Sequence, residues 1–115
     1  MNQKICNNIK PVVSDFISRI EILLGNRLKK VILYGSYARG DYNDLSDIDI
    51  MILTDFTDKE IEEYRDKISD IAFDIELNTG FIISPVIRNI EIFNVRTQYI
   101  PFYKNVEKEG VTLIG

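Results

Sequence analysis

The 115-residue sequence contains no histidine and no tryptophan, and its only cysteine is Cys6. Without histidine there is no Ser-His-Asp or Cys-His nucleophile pair, no imidazole general base and no histidine-containing zinc site. One cysteine excludes an intrachain disulfide and a cysteine-only metal cluster, and it says nothing about an oxidising compartment. Catalytic chemistry must therefore come from carboxylates, hydroxyls, lysine, arginine or a bound metal ion.

Basic residues are outnumbered by acidic ones. Fourteen Lys and Arg against eighteen Asp and Glu give a net charge of −4 and a pI near 4.8. Because nucleic-acid-binding domains usually carry a basic surface, nucleic acid is disfavoured as a direct ligand. No apolar run approaches the roughly 20 residues that cross a bilayer, and the N-terminal stretch lacks the apolar core of a signal peptide. We expect a cytoplasmic protein with no membrane association.

The chain has no internal repeat, low-complexity run or flexible linker, so we expect one continuous domain over residues 1–115. The spacing of apolar residues then predicts its helices and strands. Predicted helices cover residues 11–24, 57–77, 90–93 and 101–109, and predicted strands cover 31–34, 48–53, 81–87 and 111–114. Thr57 and Glu60 have the spacing of a capping box, and Pro85 indicates an edge strand or a bulge. We expect an α+β fold with α/β character, a small mixed β-sheet flanked by helices.

Two aspartates, Asp47 and Asp49, flank Ile48 at the start of the second predicted strand. Strand alternation places both carboxylates on one face, roughly 6.5 to 7 Å apart at the backbone. Two like charges at the end of a buried strand repel each other and resist the loss of water, and a divalent cation between them removes the conflict. Oxygen ligands alone favour a hard ion, Mg²⁺ or Mn²⁺.

Gly35 and Ser36 directly follow the first predicted strand. Glycine permits a sharp turn, and Ser36 supplies a hydroxyl and an N–H at the start of a short helix, which is a phosphate-binding geometry. Gly35 and Gly40 have the glycine spacing of a P-loop, but Asp41 stands where that loop needs lysine. The dinucleotide fingerprint fails as well, because Tyr37 occupies its second glycine position. Phosphate donors beside a metal site predict a nucleoside triphosphate site.

The sequence has Gly35-Ser36, then ten residues, then Asp-Ile-Asp at 47–49, in a strand–loop–strand context. This pattern resembles the minimal nucleotidyltransferase (MNT) family of the DNA polymerase beta superfamily. The resemblance is dense over residues 28–53 and extends loosely across the rest of the chain. It implies the nucleotidyltransferase fold and transfer of a nucleoside monophosphate to an acceptor hydroxyl.

The resemblance also implies the roles of individual residues. Asp47 and Asp49 would be catalytic and would bind Mg²⁺ or Mn²⁺, which bridges the triphosphate. Gly35 and Ser36 would contact the β- and γ-phosphates of ATP or another nucleoside triphosphate.

The sequence allows two roles for Arg39. It either binds a phosphate of the nucleotide or braces the loop through an ion pair with Asp41 or Asp44. Asp41 and Asp44 themselves are expected to be solvated turn residues.

The sequence departs from the family pattern at one position. Active members usually carry a third carboxylate on the strand after the long helix, where it binds a second metal and can deprotonate the acceptor. Here Ser84 and Pro85 lie near the expected position, and that strand contains no Asp or Glu. Asp74, Glu76 and Glu91 are weak candidates for a substitute. A carboxylate base contributes around 10²- to 10⁴-fold, so its absence would slow transfer without abolishing nucleotide binding.

The resemblance implies a partner as well. Stand-alone MNT proteins are commonly paired with a HEPN-domain ribonuclease toxin and act as its antitoxin by adenylylating a tyrosine. We therefore expect transfer of AMP from ATP to a hydroxyl on such a partner. The alternative is a catalytically weak or inactive MNT module that neutralises its partner by direct contact. Transfer to a small molecule such as an aminoglycoside is a third, less favoured hypothesis, and the sequence leaves oligomeric state open.

Aromatic residues are concentrated near the C-terminal end of the sequence, at Tyr99, Phe102 and Tyr103. Core packing is the favoured interpretation of these side chains. A partner-binding patch is the alternative, because exposed apolar groups on a small domain mark surfaces that a partner covers.

Overall fold

The structure is a computed structural model that describes residues 5–115. Residues 1–4 belong to the N-terminal stretch expected to lack a signal peptide, and they lie outside the described residues. The helices are α1 (Lys10–Leu24), α2 (Ser36–Arg39), α3 (Asp58–Thr79), α4 (Ile90–Arg96) and α5 (Pro101–Glu109). The strands are β1 (Leu28–Tyr34), β2 (Ile48–Thr54), β3 (Ile83–Asn89) and β4 (Val111–Ile114).

The four strands form one mixed sheet in the order β3-β2-β1-β4. β1 is antiparallel to both β2 and β4, and β2 is parallel to β3. A parallel pair needs a long crossover, and α3 provides it between β2 and β3. The α+β prediction of a small mixed sheet flanked by helices is confirmed.

Alternation along β2 divides the core into two layers. Ile48, Ile50 and Ile52 pack in the cluster that includes buried residues of α1 and α3. Met51 and Leu53 point to the other face and pack with buried residues of α4 and α5. Because Asp49 has the same parity as Met51, its carboxylate lies on the α4–α5 side of the sheet.

Local signals set the ends of α3. The Thr57 hydroxyl accepts a hydrogen bond from the Glu60 N–H, and the Glu60 carboxylate accepts one from the Thr57 N–H, which confirms the capping box. At the other end Gly80 adopts φ 81°, the left-handed conformation that ends many helices.

The predicted strand over residues 81–87 is displaced by two residues, because β3 covers Ile83–Asn89. Pro85 has no N–H to donate, and β3 lies at the edge of the sheet, as that proline predicted. The predicted short helix at 90–93 begins where expected, because Asn89 caps its first turn by accepting hydrogen bonds from the N–H groups of Glu91 and Ile92, but the helix continues to Arg96. Within the described part of the chain, no helix combines the length and apolar character needed to cross a membrane.

Candidate active site

The turn between β1 and α2 brings the backbone against a carboxylate. Gly35 has φ 74°, a conformation that side chains disfavour, and it caps the N-terminus of α2. A Cβ at this position would collide with the carboxylate of Asp49. The Gly35 carbonyl accepts hydrogen bonds from the N–H groups of Ala38 and Arg39, and the N–H groups of Ser36 and Tyr37 in the first turn have no partner within α2. Glycine is therefore required both for the turn and for the close approach to Asp49.

The loop after α2 is held by its own polar groups and by an aromatic pair. The Asn43 N–H donates to the Ser46 hydroxyl at 2.9 Å, and the Leu45 N–H donates to the Asn43 carboxamide at 2.8 Å. Tyr42 stacks on Tyr37 with ring centroids 4.6 Å apart. These contacts connect the loop to α2 and deliver the chain to Asp47 and the start of β2.

The strand register brings residues of β1, β2 and β3 into line at the site. Asp49 lies opposite Tyr34 of β1 on one side and Ser84 of β3 on the other. The Ser84 hydroxyl donates a hydrogen bond to Oδ2 of Asp47 at 3.0 Å. Asp47 is thus oriented from β3, and Asp49 is positioned between β1 and β3.

The electrostatics of the site are unfavourable for charge on Asp49. Burial raises the pKa of the Asp49 carboxyl, the negative charge of Asp47 raises it further, and Arg39 offsets part of the increase. Burial and the Asp49 charge together raise the pKa of Tyr34 to about 12, so this phenol stays neutral. The positive charge of Arg39 therefore does not fully compensate the negative charges of Asp47 and Asp49.

A cleft of about 470 Å³ opens beside Asp49. One wall consists of Tyr34 and the Gly35–Arg39 turn. The opposite wall is one face of α5, formed by side chains at helical spacing: Phe102, Asn105, Val106 and Glu109. Our sequence interpretation did not assign this face of α5 to the site. The spacing of residues 102, 105, 106 and 109 is the signal that could have indicated it.

The aromatic residues of the C-terminal region divide between core and site. Tyr103 is 7% exposed and belongs to the core, as expected. Phe102 is 45% exposed, lines the cleft and contacts Tyr34 edge-on with ring centroids 5.8 Å apart. Tyr99 is exposed, so core packing holds for only one of the three.

Arg39 lies at the rim of the cleft and pairs with two carboxylates. Its Nε donates to Asp41 at 3.2 Å, and its Nη1 lies 3.6 Å from Glu109 of α5. Of the two loop acids considered from the sequence, Asp41 is the one that pairs with it. Because Arg39 also lines the cleft, the same side chain can brace the loop and face a ligand.

Of the three substitutes for the third carboxylate considered from the sequence, none is brought to Asp47 and Asp49 in the structure. Asp74 is paired with Arg19 of α1 at 2.6 Å, and Glu91 borders a separate groove on α4. Glu76 is on α3, which covers the opposite face of the sheet. Across residues 5–115, no three acidic, cysteine or histidine side chains are grouped as a metal site.

The residues present still fit Mg²⁺ together with a nucleotide. Mg²⁺ is usually held by one or two carboxylates, and water and substrate phosphates complete its coordination. Asp47 and Asp49 supply two carboxylates, and the raised pKa of Asp49 reflects a charge conflict that a cation would relieve. The oxygen-only donor set matches this ion.

Comparison with known proteins identifies the class to which this site belongs. The model of the nucleotidyltransferase domain family matches residues 13–111, so the chain belongs to this family and is a nucleotidyltransferase. Two relatives come from Methanocaldococcus jannaschii. "Putative protein adenylyltransferase MJ0604" is 34% identical over 106 residues, which is 92% of this chain and 98% of that protein. "Putative protein adenylyltransferase MJ0141" is 36% identical over 102 residues, 87% of this chain and 93% of that protein.

A solved structure shares the fold. A chain in a crystal structure of a mutant of the toxin–antitoxin pair MntA–HpeT matches 86% of this chain and 70% of its own length. The TM-score is 0.56 and the sequence identity is 20%. This match confirms the nucleotidyltransferase fold expected from the sequence.

Proposed function

We propose that the protein transfers AMP from ATP, with Mg²⁺, to a hydroxyl on a partner protein, a HEPN-domain toxin for which it is the antitoxin. Its relatives are named protein adenylyltransferases, which supports AMP as the group transferred and protein as the acceptor. The likeness of its fold to a chain of a toxin–antitoxin pair is consistent with the antitoxin role. The cleft beside Asp49 is the place where a nucleotide would bind.

One observation carries the proposal. The Gly35 backbone lies so close to the Asp49 carboxylate that a single added carbon would not fit between them. This contact sets the first turn of α2, which suits phosphate oxygens, directly beside the proposed metal ligands. A nucleoside triphosphate with a bound divalent cation needs phosphate donors and metal ligands next to each other.

In the proposed reaction, an acceptor oxygen attacks the α-phosphorus of ATP. The bond from that phosphorus to the bridging oxygen of the β-phosphate breaks, pyrophosphate leaves, and the acceptor proton passes to solvent. Mg²⁺ held by Asp47 and Asp49 would neutralise charge on the triphosphate and on the leaving group. Gly35 and Ser36 would hold the β- and γ-phosphates, and Arg39 would exchange a carboxylate partner for a phosphate.

Ser84 has a supporting part in this proposal. Its hydroxyl donates to Asp47 and so fixes the orientation of that carboxylate. A neutral hydroxyl is a much weaker base than a carboxylate, so it does not replace the missing acid in deprotonating the acceptor. We therefore expect slow transfer, with the acceptor positioned by the partner.

The test is to incubate the protein with labelled ATP, Mg²⁺ and the purified partner and to follow label on the partner. We expect incorporation with the wild type and essentially none with Asp49→Asn. Asp66→Asn removes an equal charge from the exposed face of α3 and should behave as wild type. Equal labelling by Asp49→Asn would contradict the proposal.

The presence of Ser84 where the third carboxylate is expected favours a second candidate function. In this alternative the chain neutralises its partner by direct contact, with a site that binds nucleotide but transfers poorly. The alternative predicts that Asp47→Asn still inhibits the toxin without ATP. Loss of inhibition by a folded Asp47→Asn variant that still binds the partner would exclude it.

A further inference from the structure

Three arginines line a second pocket, away from the candidate active site. This pocket of about 360 Å³ lies between the N-terminal half of α3, the end of β3 and α4. Its charged lining residues are Arg65, Arg88, Arg96, Asp58 and Glu62. Arg88 comes four residues after Ser84 on β3, about 13 Å along the strand, and the second pocket shares no lining residue with the cleft beside Asp49. We refer to this second pocket as the arginine pocket.

Two of these guanidinium groups converge on one neutral oxygen. Nε of Arg88 donates to the Tyr103 hydroxyl at 3.2 Å, and Nη1 of Arg96 donates to the same oxygen at 3.3 Å. Both arginines are half-buried, and among residues 5–115 neither has a carboxylate within 4.0 Å. Like charges are therefore held together around a group that cannot neutralise them.

The acidic residues of the arginine pocket do not remove this excess of positive charge. Glu62 is paired with Arg65 at 2.7 Å. Asp58 lies in the first turn of α3, where helix N–H groups favour a negative side chain. Three arginines against two acids leave a local charge of +1 in a chain whose net charge is −4.

The Tyr103 hydroxyl, which both arginines contact, responds to their positive charge. Burial raises the pKa of this hydroxyl, but the hydrogen bonds and positive charges of Arg88 and Arg96 together lower it further, so the pKa is lowered overall. A guanidinium has five N–H donors in a planar fork. The hydrogen bonds found among the described residues use two donors of Arg88 and one of Arg96, which leaves donors for a further acceptor.

We propose that the arginine pocket binds a phosphate dianion. A phosphate carries about −1.5 to −2 at pH 7, so it interacts with two neighbouring guanidinium groups more strongly than a single carboxylate does. Guanidinium forks also match the oxygen spacing of phosphate, which permits bidentate hydrogen bonds. Phosphate binding at this site does not require the proposed transfer of AMP.

The proposal is tested by titrating the full chain with inorganic phosphate in metal-free buffer, with acetate as the comparison anion. We expect saturable binding of phosphate at least tenfold tighter than binding of acetate. In NMR spectra of the wild type, the side-chain Nε–H signals of Arg88 and Arg96 should shift on addition of phosphate. Equal affinity for acetate, or no shift of these signals, would overturn the proposal.

Variants identify which site holds the phosphate. Arg88→Gln and Arg96→Gln should each weaken binding at least tenfold, whereas Lys67→Gln, an equal charge change on exposed α3, should not. Ser36→Ala reports on the nucleotide cleft, and binding that is lost in Ser36→Ala but retained in both arginine variants would assign the phosphate to that cleft and refute the arginine pocket. Circular dichroism establishes that each variant is folded, and the wild-type NMR measurement needs no substitution.

Discussion

The β1–β2 hairpin has a pair of carboxylates near each end, and the two pairs differ in how their charge is balanced. Near the start of β1, Arg27 pairs with both Asp55 and Glu60, and its guanidinium lies 4.6 Å from the centre of the Phe56 ring. We call this group the Arg27 cluster. Its hydrogen bonds lower the pKa of both carboxyls. At this end of the hairpin, a cation of the chain itself balances the charge of the carboxylates.

The other end lacks such a cation. In the described part of the chain, neither Asp47 nor Asp49 has a basic side chain within 4.0 Å. Burial and mutual repulsion raise the pKa of Asp49. Carboxylates that the fold itself neutralises are structural, whereas carboxylates left in conflict are suited to a charge that arrives with the substrate.

The largest effect is expected from Gly35→Ala, which changes the end of the hairpin that carries Asp47 and Asp49. The new Cβ would displace the Asp49 carboxylate, and misplacement of about 1 Å can cost about 10²-fold in rate. Labelled AMP incorporation per folded protein should fall by at least that factor. Gly80→Ala is the control, because Gly80 also has positive φ but no atom lies within 4 Å of its added Cβ. Wild-type transfer by Gly35→Ala would show that the close approach is dispensable.

Ser84→Asp is expected to act in the opposite direction. It adds a carboxylate beside Asp47, on the other side of Asp49 from Tyr34 and on the same face of the sheet, where the family pattern expects an acid. The rate of transfer should rise about 10-fold or more with Mg²⁺ present, since a carboxylate base contributes about 10²- to 10⁴-fold when well placed. Ser69→Asp on exposed α3 should change nothing. An unchanged rate in a folded Ser84→Asp protein would mean that base strength does not limit transfer.

Arg27→Gln should destabilise the protein while leaving transfer intact. It removes two ion pairs and a cation–π contact, all partly exposed, so we expect a lower free energy of unfolding than in the wild type. Urea denaturation measures this loss. Arg65→Gln breaks one exposed pair and should cost no more than about 0.5 kcal/mol. Equal losses in the two variants would remove the distinction drawn for the Arg27 cluster.

The smallest effect concerns pH, and the two ends should respond with opposite signs. The lowered pKa values of Asp55 and Glu60 stabilise the fold above pH about 4, and that stabilisation is lost as pH falls further. The raised pKa of Asp49 means that its ionisation costs stability, so the cost appears as pH rises through that pKa. Without divalent ions, Asp49→Asn should have a higher Tm than wild type at pH 7, and this gain should shrink toward pH 3. Mg²⁺ should raise the Tm of wild type but not of Asp49→Asn.

Local sequence patterns predicted one half of the candidate site. Strand alternation put Asp47 and Asp49 on one face, and the glycine turn followed from the position of Gly35 after an apolar run. The capping box at Thr57 and the edge position of Pro85 were equally local. Each of these features depends on residues within a few positions of one another, where propensity and periodicity act.

The other half depends on contacts between distant segments. Ser84 meets Asp47 only because β2 and β3 pair in one particular register. Glu109 reaches Arg39 only because β4 pairs with β1 and so places α5 over the sheet. A single sequence does not specify such pairings, because many registers satisfy the same apolar pattern.

The pairing of β4 with β1 has a mechanical consequence for the cleft. One wall continues directly from Tyr34 at the end of β1, and the other is joined through Gly110 to β4, which pairs with β1 at Leu33 and Val111. A Cβ at Gly110 would collide with the Ile32 side chain, so this junction is tightly packed. Both walls are thus fastened to the same strand, and widening the cleft would require rupture of backbone hydrogen bonds. We expect a cleft of fixed width that selects ligands by size instead of closing around them.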